Sequence, residues 1–112
     1  MVIGVGLVDI LIPGSRSLKE KRGVLRRILK RTQNEFNISI AEVGQQDLWQ
    51  AARIGFCVVG NDRAYINGKM DHVFRFIDDL GMAERVRTKM EILSFADIGD
   101  DPRLEMEKYG TI

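Results

Sequence analysis

The sequence predicts an α+β domain whose elements run β-α-β-β-α-β, the split βαβ arrangement, with a four-stranded antiparallel sheet in the order 4-1-3-2. Two observations predict it. Stretches with strand periodicity alternate with two long amphipathic helical patterns. The two middle strands are separated only by the polar connection Gln45 to Gln50, a hairpin-length link. Each helix therefore crosses between two strands that a third strand separates, which puts both helices on one face of the sheet and leaves the other face open.

The first strand spans Val2 to Ile12 and is apolar nearly throughout. Gly4, Gly6, Val8, Ile10 and Ile12 share one face and Ile3, Val5, Leu7, Asp9 and Leu11 the other, as suits a central strand. Pro13 and Gly14 end it. Ser17 and Glu20 stand in capping-box spacing, so a helix starts at once: the serine oxygen accepts a first-turn amide and the glutamate reaches back to the cap amide. That helix runs to Phe36. Leu18, Leu25, Ile28, Leu29, Thr32 and Phe36 return to one side of it, and Lys19, Arg26, Arg27, Lys30 and Arg31 to the other. Lys21 and Arg22 fall at the edges of the apolar side, where their stems are expected on the core rim with the charges snorkelling outward.

Asn37 to Gly44 is the second strand, with a change of phase between Ile38/Ile40 and Ala41/Val43 that suits a bulge. Ala51 to Gly60 is the third, with Ile54, Phe56 and Val58 opposite Arg53, Gly55 and Cys57. Asn61 can cap a second helix to about Leu80, with a seam of Ile66, Met70, Val73, Ile77 and Leu80, and Gly81 is placed to end it. Glu84 to Phe95 alternates, Val86, Thr88, Met90 and Ile92 inward against Arg85, Arg87, Lys89 and Glu91 outward, which suits an edge strand. The chain is thus expected to form one domain over residues 1–96. An acidic tail follows over 97–112, as a short helix or loose chain.

Charge is segregated along the chain. From Arg16 to Arg31 there are eight Lys or Arg against one acid, Glu20, so that stretch carries net +7 and the remainder −6. Arg22/Arg26, Arg26/Lys30 and Arg27/Arg31 are like-charge pairs four apart, each unfavourable by roughly 0.2–0.5 kcal/mol. Lys19, Lys21 and Arg22 sit in the first turns, where the helix dipole prefers acids. A helix selected for stability alone would have interleaved glutamates. Two readings stand: a solvated face neutralised by acids elsewhere in the fold, or a face for a polyanion.

At 112 residues and 45% hydrophobic the chain is long enough for one core, and no cofactor is expected. The one cysteine, Cys57, suits a reducing, cytoplasmic setting. No run approaches the ~20 apolar residues of a membrane span, and the first residues lack a signal-peptide pattern. His72 has no nucleophile at recognisable spacing and one His with one Cys makes no soft metal site, so no enzyme is expected. Gly14 and Ser15 before a helix amino end offer a weak anion site on free amides.

Three blocks carry a family resemblance: Ile12 to Arg22 (IPGSRSLKEKR), Ala41 to Gln50 (AEVGQQDLWQ) and Val58 to Arg63 (VVGNDR). In this order they resemble the YlxP-like family of small bacterial proteins of unknown function, over about residues 1 to 95. The resemblance implies a ferredoxin-like fold. Members are often encoded beside translation and ribosome-maturation factors, and some are labelled ribosome-binding factors, a label that supplies no active site.

Together these readings predict a non-catalytic binding protein that docks on RNA or a ribosomal particle through Lys19, Arg26, Arg27, Lys30 and Arg31, with Arg85, Arg87 and Lys89 as a second basic area. The competing expectation is a homodimer or protein-interaction module that uses the open sheet at Val5, Leu7 and Leu11 together with Trp49. The tail, through Leu104, Met106 and Tyr109, is a further candidate to cover that sheet. Base stacking on the sheet is disfavoured, because Val5, Leu7, Gly55 and Cys57 of the central strands are not aromatic.

Overall fold

Residues 1–96 are described by the structure, a computed structural model; the acidic tail and its expected cover over the sheet lie outside the described residues. The elements are β1 (Val2–Leu11), α1 (Leu18–Glu35), β2 (Ser39–Gly44), β3 (Ala51–Gly60), α2 (Arg63–Asp79) and β4 (Glu84–Ser94). All strand pairs are antiparallel and the sheet order is β2-β3-β1-β4, so β1 is paired along both edges, as its two apolar faces predict. This is the ferredoxin-like arrangement.

Strand alternation decides where the core sits. Val8, Ile10, Ala52, Ile54, Phe56 and Val58 are buried on one face, beneath Leu25 and Ile28 of α1 and Ile66, Met70, Val73, Phe74 and Ile77 of α2. The expected seam of α2 is found, with Phe74 added to it. Close packing of α2 on the sheet requires the missing side chain of Gly4: a Cβ there would stand 2.7 Å from Met70 Sδ and 2.8 Å from Ile66 Cγ2. The opposite face stays open, with Val5, Leu11, Val59 and Leu93 exposed.

Both helix starts follow from their caps. Ser17 Oγ accepts from Glu20 N at 3.1 Å, while the Glu20 carboxylate accepts from Arg16 N at 2.6 Å, one residue before the expected cap amide. For α2 the cap is Asp62 and not Asn61: its carboxylate accepts from Tyr65 N at 3.0 Å. Adjacent Asn and Asp are equally able caps, so the sequence alone leaves a one-residue ambiguity. Gly81 ends α2 at φ 65°, a left-handed conformation open to glycine.

Two bulges set side-chain directions. The one expected in β2 falls between Glu42 and Gly44. A second lies in β4, where Arg87 pairs with Asp9 and Arg85 with Ile10, so that Val86 is the extra residue. It reverses the expected facing of β4 before Arg87: Arg85 turns to the helix side and Val86 is 52% exposed.

Lys21 departs most from expectation. Its side chain does not snorkel; it is 1% exposed. The ammonium donates to Gln45 O at 2.7 Å and Gln46 O at 3.4 Å, and lies 3.2 Å from Glu42 Oε2 as an ion pair without hydrogen-bond geometry. Gln50 Nε2 donates to Ser15 O at 3.1 Å and Ile12 N to Gln50 O at 2.8 Å. The β2–β3 connection is therefore fastened to α1 and to the β1–α1 turn. Replacing Lys21 by Met should strip the part-buried carbonyls of Gln45 and Gln46 of their donor and cost about 1–3 kcal/mol. Denaturant unfolding measures the cost, and faster hydrogen exchange at residues 45–50 would localise it.

Candidate functional site

The outer face of α1 dominates the described surface. Of the eight Lys or Arg from Arg16 to Arg31, Lys21 is buried and ion-paired; the other seven are exposed, and no ion pair among the described residues engages them. Arg27 Nε donates only to Gly23 O, at 3.4 Å. The expected group Lys19, Arg26, Arg27, Lys30 and Arg31 is thus displayed on one helix, without an ion pair to any described acid. Arg22, Arg26 and Lys30 also rim a groove of about 490 Å³ against β2, with Leu25, Leu29 and Ile40 among its lining.

The second basic area is divided by the β4 bulge. Arg85 reaches α2, where Nε and Nη2 donate to the Asp78 carboxylate at 3.1 and 2.8 Å and the guanidinium stands 5.3 Å from the Phe74 ring centroid. Its expected place on the open face is corrected. Arg87 and Lys89 do project from that face. Arg87 is committed to Asp9, however, and Lys89 Nζ lies 3.7 Å from Glu91.

Asp9 was not singled out by the sequence patterns, because one acid in an apolar strand has no local partner to mark it. On the folded sheet its carboxylate accepts from Arg53 Nε at 2.7 Å and Nη2 at 3.1 Å, and from Arg87 Nε at 3.1 Å and Nη2 at 2.9 Å. The Arg53 hydrogen bonds, with those of Arg87 and both guanidinium charges, hold the Asp9 carboxyl below its ordinary range against an opposing push from burial. The three side chains cross-link β3, β1 and β4 on the open face.

Leu48 and Trp49 project from the fastened β2–β3 connection and are 50% and 56% exposed. Of the open-face partner candidates, Val5 and Leu11 are exposed and Leu7 is half-buried. Phe56 is buried, which confirms the strand register and leaves no aromatic on the open face of the central strands. At the candidate helix-terminus anion site, the Glu20 carboxylate accepts from Arg16 N and Ser17 Oγ accepts from Glu20 N. His72 is exposed on α2. No described helix is long and apolar enough to cross a membrane.

Comparison with known proteins matches a span that contains all three sequence blocks. A family profile described as "Protein of unknown function (DUF503)" matches residues 3–90. The uncharacterized protein YlxP of Bacillus subtilis (strain 168) is 42% identical over 90 residues, covering 80% of this chain and 98% of that protein. Among solved structures, the de novo designed protein Foldit4 overlaps 86% of this chain and 100% of its own, at 12% identity and a TM-score of 0.48.

The depressed Asp9 carboxyl has a pH consequence. Its stabilisation is complete above the unfolded value of about 3.9 and is lost as pH falls through the folded value, because the unfolded chain then binds the proton first. Melting temperature followed downward from about pH 5 should therefore fall more steeply for the wild type than for Asp9→Asn.

Proposed function

The chain belongs to the DUF503 family of proteins of unknown function, and from that premise we propose that it is a non-catalytic binding protein that docks on structured RNA, that of a ribosomal particle included, through the outer face of α1. The family supplies no activity, so the reading rests on one observation: seven exposed cations of Arg16–Arg31 without an ionic partner among the described residues. Like charges spaced four apart on a helix are unfavourable, and an external polyanion relieves them. Lys19, Arg26, Arg27, Lys30 and Arg31 would contact phosphates, giving shape-based, salt-sensitive association with little sequence preference. Arg87 and Lys89 face the other side of the molecule and are engaged with acids, so the reading no longer needs them. Its setting is the cytoplasm, where Cys57 remains a thiol.

A second reading, a homodimer formed through the open sheet, is favoured by the exposure of Val5, Leu11, Val59 and Leu93. Reversal of Arg26, Arg27 and Lys30 to Glu separates the two. Each phosphate contact contributes roughly 0.7–0.9 to the slope of log affinity against log salt. The triple reversal should therefore flatten that slope by about 2–3 and abolish co-sedimentation with ribosomal particles at moderate salt. A homodimer would survive it. Unchanged co-sedimentation of the variant would remove α1 as the docking surface.

A further inference from the structure

The exposed tryptophan requires an account that core packing does not supply. Trp49 is the sole tryptophan of the chain, and more than half of its surface faces solvent. An exposed aromatic on a loose loop would mean little. This loop is held at both ends: Gln45 and Gln46 by the buried ammonium of Lys21, and Gln50 by the turn at Ile12 and Ser15. Leu48 N also donates to Gln45 O at 3.2 Å, closing a turn directly before the ring. The loop is thus fastened to the first turns of the helix that carries the unpaired cations. Arg22, the residue after Lys21, is exposed on the β2 side of that helix, in one groove with Ile40 and Glu42.

We infer that Trp49 is a stacking platform for an unpaired nucleobase, working with Arg22 of α1. The inference rests on the RNA reading above and adds a substrate class to it: single-stranded segments such as loops or bulges next to a duplex. Stacking on an indole face tolerates any base, and the adjoining phosphates supply the charge that Arg22 attracts. A pre-positioned ring loses little conformational freedom on binding. Two other described aromatics are similarly exposed. Tyr65 stands in the first turn of α2 and Phe95 follows β4, so neither is tied to the cationic helix as the Trp49 loop is.

The test uses the intrinsic fluorescence of the full chain, in which every tryptophan photon comes from Trp49. The protein is titrated at low salt with a single-stranded RNA oligonucleotide and with a blunt duplex of the same sequence. The single strand should quench the emission to saturation. Trp49→Ala, followed by the anisotropy of end-labelled RNA, should weaken single-strand binding about tenfold, leave duplex binding unchanged, and be largely rescued by Trp49→Phe. Retained single-strand affinity in Trp49→Ala, with salt-sensitive RNA binding intact, overturns this inference and spares the α1 reading. Equal weakening for single strand and duplex also overturns it. Failure of the wild type to bind either RNA overturns both. An oligomer that dissociates on Trp49→Ala without any effect on RNA would instead assign the ring to a protein contact.

Discussion

The burial of one cation, Lys21, orders the functional side of this molecule. Its ammonium is removed from water and compensated by two backbone carbonyls and the Glu42 carboxylate. An uncompensated buried charge would cost several kcal/mol, so α1 can hold this rotation about its axis only while the β2–β3 connection presents those oxygens. With Lys21 turned inward beside Leu25, Ile28 and Thr32, helical geometry sends Lys19, Arg26, Arg27, Lys30 and Arg31 to the outside. A structural lysine thereby fixes the direction of the unpaired ones and positions the Trp49 loop.

The two faces of the molecule handle charge differently. On the open sheet, cations are answered locally: Asp9 binds Arg53 and Arg87, and Glu91 stands near Lys89. That arrangement holds the three adjacent strands β3, β1 and β4 together where no helix covers them. On α1 no acid among the described residues forms an ion pair with the outer cations. Both faces contain exposed positive side chains, but among the described residues α1 gathers seven of them without an ion pair, and this concentration favours α1 as the anion-facing surface. Arg85 makes the same point on the helix side, where Asp78 and the Phe74 ring already engage it.

Most of the fold was legible in the sequence because its signals are local. The Ser17–Glu20 spacing, the Ile66-to-Ile77 seam, the bounds of β3 and the turn at Gly81 all depend on neighbours within a turn or a strand. What was illegible depends on distant partners. Periodicity put Lys21 on the rim because carbonyls more than 20 residues away cannot be read from a helical wheel. Clean alternation in β4 concealed the extra residue Val86, whose presence shows only in pairing with β1, and so misplaced Arg85. Asp9 became informative only when Arg53 and Arg87 arrived from other strands. The outward cations of the candidate site were legible in full; the engagement of Arg85 and Arg87 with acids was not.

The central claim is that RNA meets the outer face of α1. Backbone amide and arginine Nε–H resonances followed during titration with a ribosomal RNA fragment test it most directly, since they report every surface of the described chain at once. The account predicts shifts concentrated on Lys19, Arg26, Arg27, Lys30 and Arg31, with Val5, Leu11, Val59 and Leu93 unmoved. Shifts centred on those open-face residues, with α1 silent, would contradict it.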